Sequence, residues 1–415
     1  MRILYVCPFS HYSGHHPYVA TVEPEMLAKA GNDVTLVTFC GITSDPQISV
    51  PHYTVISKDW PILRWVRKNA IFRWFLMLGE TLTTIGKAMK LYRRFEYDVI
   101  YLRDGEPYLF VSPFLNTPFR NFRWLISLTG SNLFVPTPHM SKFRKNPYIY
   151  LYTVSLHIVR GAWWNCLYRR SLSRNSVMFV TQNEEAKKGY DAYQSGVFAG
   201  RVVCIPLGTT NDVTSIPKSV ARAKLELPQD ALILLSFGAP HSGKDVETVI
   251  KAVVRVPEVF IVHAGAQAFN LGSSPEDLTE EYGLSRRTRV FNHYIKEEEE
   301  KPLFLYAADV LILSYTKVFK STSSMLWEAA KYNLPVISSD ANLLGATVAE
   351  YNLGLLFEAE NVESLVDAIE HFKVLKSEEL KQMELGRQRF VKDYSNKKWL
   401  ENTLNVCRQL LMESE

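Results

Sequence analysis

Short apolar runs of strand length recur along this chain, and amphipathic helical patterns fill the gaps between them. The spacing predicts strands at 2–7, 34–39, 98–102, 124–128, 177–181 and 202–205. A polar link near 209–220 interrupts the rhythm. It restarts with strands predicted at 231–237, 259–264, 289–291, 309–313 and 335–338. Strands alternating with helices mean parallel sheets covered on both faces. Two such series around a link mean two α/β domains, and 415 residues suit two cores better than one. Residues 361–412 read as helix almost throughout.

Composition adds little to this picture, but charge adds something. The hydrophobic share is 47% and the charged share 22%, ordinary values for a globular chain. The net charge of +4 hides an asymmetry. Residues 1–210 carry 24 basic and 13 acidic side chains, whereas the remainder carries 23 and 30. A basic first half suggests a polyanionic surface as partner, with nucleic acid or anionic membrane as candidates. The five cysteines (Cys7, Cys40, Cys166, Cys204, Cys407) are scattered and lack metal-type spacing, which reads as free thiols in a reducing compartment. The start of the chain is too short and polar for a signal peptide, and no apolar stretch reaches transmembrane length.

Candidate chemistry concentrates in 307–356, which holds a strand, a Ser-rich loop, a short helix carrying Glu328, and a second strand. A loop-to-helix junction presents unpaired backbone N–H groups and a positive dipole end, a setting for a diphosphate. Ser321-Thr322-Ser323-Ser324 would supply hydroxyls and N–H groups there, or would simply cap the helix. Glu328 would accept hydrogen bonds from ribose hydroxyls, or pair with Lys331 one turn on. A second constellation, Ser236 to Lys244, follows a strand and opens a helix, with Gly238 in the turn. A departing nucleoside diphosphate needs positive charge where its own charge grows, and Lys244 could provide it. A third, Ser13-Gly14-His15-His16-Pro17, follows the first strand. Gly14 permits close backbone approach. Either His could act as a general base, or Pro17 could simply begin a helix. Asp104 and Glu106 read as acceptor contacts or as a solvated loop pair. No Asp-x-Asp pair for a divalent cation occurs, so no metal site is expected.

The stretch from Ala307 to Leu356 resembles the donor-binding segment of retaining glycosyltransferases of the GT-B fold, in particular family 4 (glycosyl transferases group 1). The resemblance is clear over about 200–360, fair over the first 40 residues and poor between about 50 and 175. It implies two Rossmann-like domains with parallel sheets facing a central cleft. An acceptor domain would span 1–210, a nucleotide-sugar domain 211–392, and 393–415 would return to the first. Glu328 falls at the second Glu of the family's Glu-x7-Glu motif. The first falls on Lys320, a cation that cannot accept hydrogen bonds from sugar hydroxyls. Lys320 could hold an acidic sugar or the phosphates, or could mark a site without catalysis. Lys244 matches the Lys of the family pattern Gly-Arg-x4-Lys-Gly, while Ala239 replaces the Arg and His241 could compensate. Thr129 stands near where many members carry a His. Asn333 replaces a usual Gly at the end of the helix, a mild change because Asn tolerates the left-handed conformation.

Residues 60–77 and 142–174 mix cations with aromatics. Such segments suit a bilayer interface, nucleic acid or plain packing, and the resemblance favours an anionic membrane surface over nucleic acid. The expected protein is a cytoplasmic retaining glycosyltransferase, peripheral on the inner membrane surface. It would take a nucleotide sugar, with a uridine donor favoured, and serve a lipid-linked or saccharide acceptor in cell-surface glycan synthesis. Catalytic candidates are His15, His16, Lys244 and Glu328. Donor-binding candidates are Gly14, Gly238, Lys244, Lys320, Ser323, Ser324 and Glu328. No cofactor beyond the nucleotide sugar is expected. The alternatives are a non-catalytic GT-B partner subunit and a GT-B sugar-nucleotide epimerase.

Overall fold

A computed structural model describes residues 1–12, 16–42, 48–57, 63, 70–105, 122–128, 176–192, 198–208, 213, 215–239, 243–266, 274–296, 299–319 and 322–412. For residues 16–18, 70–74 and 185 the backbone alone is described. The chain divides into two compact units, 1–207 with 399–415, and 208–398.

The first unit is a seven-stranded sheet in the order β3-β2-β1-β4-β5-β6-β7. Its strands are β1 (Arg2–Cys7), β2 (Asp33–Thr38), β3 (His52–Thr54), β4 (Val99–Leu102), β5 (Arg123–Leu128), β6 (Ser176–Thr181) and β7 (Val202–Cys204). Every pairing is parallel. The helices described here are α1 (His16–Lys29), α2 (Ala70–Phe95) and α3 (Glu184–Ala192). Strand alternation sends Leu4 and Val6 to the face covered by Ile85, Ala88 and Leu91 of α2. Ile3, Tyr5 and Cys7 go to the other face, with Leu27 of α1 and Trp399 and Cys407 of the last helix.

The second unit is a six-stranded parallel sheet in the order β10-β9-β8-β11-β12-β13. Its strands are β8 (Leu232–Phe237), β9 (Val259–Ala264), β10 (Thr288–Phe291), β11 (Val310–Leu313), β12 (Val336–Ser339) and β13 (Gly354–Phe357). Its helices are α4 (Lys218–Lys224), α5 (Val246–Arg255), α6 (Pro275–Glu281), α7 (Lys301–Ala307), α8 (Ser324–Lys331), α9 (Asn342–Tyr351), α10 (Val362–Lys373) and α11 (Ser377–Asp393). The helix α12 (Asn396–Met412) ends the described chain and falls mostly in the first unit. Two apolar clusters, one on each face, sandwich the sheet. Such clusters explain why the central strands read as unbroken apolar runs.

In both sheets chain order reverses beside the first strand, between β1 and β4 and between β8 and β11. Loops diverge at such a switch point, and ligands of open α/β sheets bind outside the carboxyl ends there. In the second unit the two loops in question are 238–245 and 314–323, which carry the strongest sequence candidates.

Among the described residues, Cys7, Cys40, Cys204 and Cys407 form no disulfide. No described helix is long and apolar enough to cross a membrane. Residues 142–174, and the side chains of 64–74, lie outside the described residues.

Candidate donor site at the second switch point

The chain leaves β8 through Gly238 at φ +91°, a left-handed conformation that glycine adopts without strain. A Cβ at Gly238 would come within 3.0 Å of Lys244 Nζ. Gly265, beyond β9, has φ +148°, and a Cβ on it would meet the Gly238 carbonyl carbon at 2.6 Å. Two glycines thus let the turns after β8 and β9 touch, and Gly238 N–H donates to Ala264 C=O at 2.7 Å. Across the switch point, Asp245 N–H donates to Ser314 C=O (3.1 Å) and Thr316 N–H to Gly243 C=O (2.9 Å). The next residue, Asp245, caps α5 by accepting from Thr248 N–H at 3.1 Å.

Lys244 therefore sits at a fixed point between two loops. Its ammonium donates to the carbonyls of Phe237 (2.5 Å) and Gly238 (3.0 Å). Burial pushes it down from 10.5 to about 8. His263, at the end of β9, lines the same pocket with Ser236, Gly238, Lys244, Gly265 and Glu276. The His263 ring is buried, and its Nε2 has no hydrogen-bond partner among the described residues. Burial first, and the Lys244 charge second, push it down to about 4. It is therefore a neutral imidazole at physiological pH. A lone His in an apolar strand gave no sign of this placement.

The loop after β11 is pinned along its length. Tyr315 N–H donates to Ser339 Oγ (3.1 Å), and the Tyr315 ring stacks on Phe319 at 3.9 Å. Asn342 Nδ2 donates to the carbonyls of Lys317 (3.0 Å) and Phe319 (2.8 Å). Lys320 and Ser321 lie outside the described residues. Ser323 is the N-cap of α8 and accepts from Met325 N–H at 3.3 Å. Its hydroxyl also lies 2.8 Å from Tyr315 OH. The capping role read for the serine cluster falls to Ser323. Ser323 spends its side chain as a cap, while exposed Ser324 begins the helix, where backbone N–H groups have no intrahelical acceptor.

Glu328, one turn into α8, is half-buried. Its Oε1 lies 3.1 Å from Lys301 Nζ, on a different helix. The pairing with Lys331 considered from spacing is not made. The Lys331 ammonium lies over the Tyr332 ring, 5.6 Å from its centre. Glu328 Oε2 is buried with no hydrogen-bond partner among the described residues. The helix closes at Asn333, φ +53°. There Asn333 N–H donates to Ala330 C=O (3.1 Å) and Leu334 N–H to Ala329 C=O (2.8 Å). These bonds are the Schellman pattern that usually takes Gly. The Asn333 amide is also used, its Oδ1 accepting from Arg387 Nε at 2.9 Å.

In the first unit, Gly14 and His15 lie outside the described residues, and of His16 only the backbone, at the start of α1, is described. Just before them, His11 Nε2 lies 3.4 Å from Glu80 Oε1, and Tyr12 OH donates to Glu80 Oε2 at 3.0 Å. Asp104 is not a solvated loop residue but 4% exposed, with φ +51°. It neighbours a buried network in which Tyr5 OH donates to Glu23 (2.5 Å) and Arg103 donates to Ser127 Oγ (2.8 Å). Glu106, Thr129 and His241 lie outside the described residues. Among the described residues no three His, Cys, Asp or Glu side chains gather as a metal set.

Residues 217–389 match the family model "Glycosyl transferases group 1". The lipopolysaccharide core biosynthesis glycosyltransferase LpsE of Rhizobium meliloti is 27% identical over 179 residues, which is 43% of this chain and 50% of that protein. The chain spans half or less of the length of the curated relatives it matches first. Among solved structures, a sucrose-phosphate synthase from Thermosynechococcus elongatus superimposes with TM-score 0.72 at 20% identity, covering 99% of both chains. Anabaena HepE, solved with UDP and glucose, does so with TM-score 0.68 at 15% identity, covering 99% of this chain and 100% of its own. At such identities these structures speak for the fold. It is the GT-B glycosyltransferase fold of two parallel-sheet α/β domains, and within it the family support, carried by residues 217–389, is for a group 1 glycosyltransferase.

Proposed function

We propose that this protein is a retaining glycosyltransferase of the family 4 type. It moves a sugar from a nucleoside-diphosphate sugar, held by the second unit, to a lipid-linked or saccharide acceptor in cell-surface glycan synthesis. The observation that carries this reading is that the two loops flanking one switch point, hydrogen-bonded to each other, lead into three groups suited to one ligand. They are a cation beside a glycine turn (Lys244 at Gly238), a capped helix N-terminus (Ser323 and Ser324), and a half-buried carboxylate one turn later (Glu328). A diphosphate takes the cation and the N–H groups, and a ribose takes the carboxylate. The charge that develops on a leaving nucleoside diphosphate is stabilised by the same groups, so binding and catalysis share a machinery. The relatives support the donor class, since HepE was solved with UDP and with UDP-glucose. The relative from lipopolysaccharide core synthesis supports a surface-glycan acceptor. The basic first half suits an anionic membrane surface where such acceptors reside.

A second reading has its own observation. The Lys244 ammonium is engaged by two backbone carbonyls, as a purely structural lysine would be. A non-catalytic GT-B partner subunit would keep this brace and need no free cation. The test is nucleotide release from UDP-, GDP- and ADP-sugars, with and without a membrane lipid extract. Release from one donor, raised by lipid, establishes the transferase and names its base. No release from any donor under either condition rejects it in favour of the partner subunit.

A further inference from the structure

Lys301 is an odd lysine. It occupies the first turn of α7, where a cation faces the positive end of the helix dipole. It follows an acidic run, yet its side chain turns inward and is only 10% exposed. Of the acids just before it, the two among the described residues, Glu299 and Glu300, have other partners. Glu299 pairs with Lys296 at 2.8 Å, and Glu300 accepts from Lys296 N–H at 2.8 Å and lies 3.5 Å from His293. Lysine is almost never buried unless paired, because desolvating an ammonium is costly. A partner that offsets this cost is Glu328, at 3.1 Å and 23% exposed.

The pair is selective in a second way. Glu328 has a lysine on its own helix at the spacing that ordinarily forms surface pairs, and that lysine lies over a tyrosine ring instead. The cation that holds Glu328 comes from another helix, so it fixes the carboxylate against the body of the unit rather than along α8. One oxygen is engaged and the other, Oε2, has no hydrogen-bond partner among the described residues. A carboxylate held at one oxygen and bare at the other is a preoriented acceptor for hydroxyl groups.

We propose that Lys301 is a positioning residue of the donor site: it orients Glu328 so that the carboxylate accepts the hydroxyl groups of the donor's ribose. This inference rests on the reading that the second unit binds a nucleoside-diphosphate sugar. Acting through Glu328, Lys301 should bear on the ribose rather than on the diphosphate.

The test measures the affinities of UDP, GDP, ADP, their 2′-deoxy and 3′-deoxy counterparts, and pyrophosphate. The proteins are the full chain and its K301M, K301Q, K301R, E328Q and K301M/E328Q variants, with melting curves for each. Wild type should prefer a ribonucleotide to its deoxy counterpart by about tenfold or more, as expected for a hydrogen bond to a charged group. K301M and K301Q should lose most of that preference while pyrophosphate affinity stays within about twofold of wild type. K301R should restore most of it, and the double variant should be no worse than E328Q alone. Two results overturn the proposal: K301M and K301Q keeping the ribose preference, or losing pyrophosphate affinity in equal measure. If wild type binds none of the three nucleotides, the donor-site reading falls, and this inference with it. If wild type and E328Q behave as expected but Lys301 variants are silent, only the inference falls.

Discussion

At the scale of the residue, two positions govern the Lys244 corner. Gly238 is favoured as glycine by its φ of +91°, and a Cβ there would lie 3.0 Å from Lys244 Nζ, whose flexible end would have to shift. Gly238→Ala should therefore cost about 1–2 kcal/mol of stability from conformation alone. It should also displace the ammonium and weaken nucleoside-diphosphate binding, which a titration would show as a raised Kd. Lys244 makes a prediction about pH. Its folded value, about 8, lies below the ordinary 10.5. Between those values the unfolded chain holds a proton that the folded chain has lost, so this group makes stability rise with pH across that window. Below about pH 8 the charge is present and its burial cost is in full force. Diphosphate affinity should run the other way, falling as pH rises past about 8. Affinity measured from pH 7 to 9.5 checks this, and Lys244→Arg, which stays charged, should flatten the profile. These two residues were legible as candidates from their spacing. That the ammonium would turn onto the carbonyls of Phe237 and Gly238 was not, because a side chain's direction depends on which loops pack around it.

At the scale of the element, α8 shows how much a helix end can carry. Ser323 caps it, Asn333 closes it, and Glu328 lies between. Ser323→Ala should remove the cap for about 1 kcal/mol, lowering Tm by about 2–4 °C, while Ser323→Thr should keep most of it. Thermal melts of the two variants decide this, and equal melts would show that the cap contributes nothing. The strands were mostly readable, since a buried parallel strand needs a continuous apolar run. The two that escaped, β3 and β13, are both sheet edges. β3 is three residues with no fully buried position, and β13 is only partly covered. An edge strand can bury too little to force an apolar run, so periodicity marked the edges β7 and β10 but not these two. The interior strands, whose two faces are both covered, differ from expectation by no more than a residue at each end.

At the scale of the whole molecule, each unit has its own sheet and its own pair of apolar clusters. The functional reading places the nucleotide on the second. A nucleoside diphosphate at a hundredfold excess over its Kd should stabilise the folded form by about 2.7 kcal/mol. Amide hydrogen exchange should then show protection rising most in 236–245, 314–319 and 322–331. A rise confined to the first unit would place the nucleotide elsewhere. Sequence alone determined the α/β class and the two-sheet division, and it named the region of the candidate site, because each rests on local rules. Apolar runs mark buried strands, glycine marks a tight turn, and Ser before a helix marks its start. Tertiary structure alone decided the partners. Lys301 rather than Lys331 holds Glu328, and His263 joins Lys244 in one pocket. Neither follows from spacing, since the groups lie on different elements, two helices for the ion pair and the ends of the adjacent strands β8 and β9 for the pocket, and meet only in the folded unit.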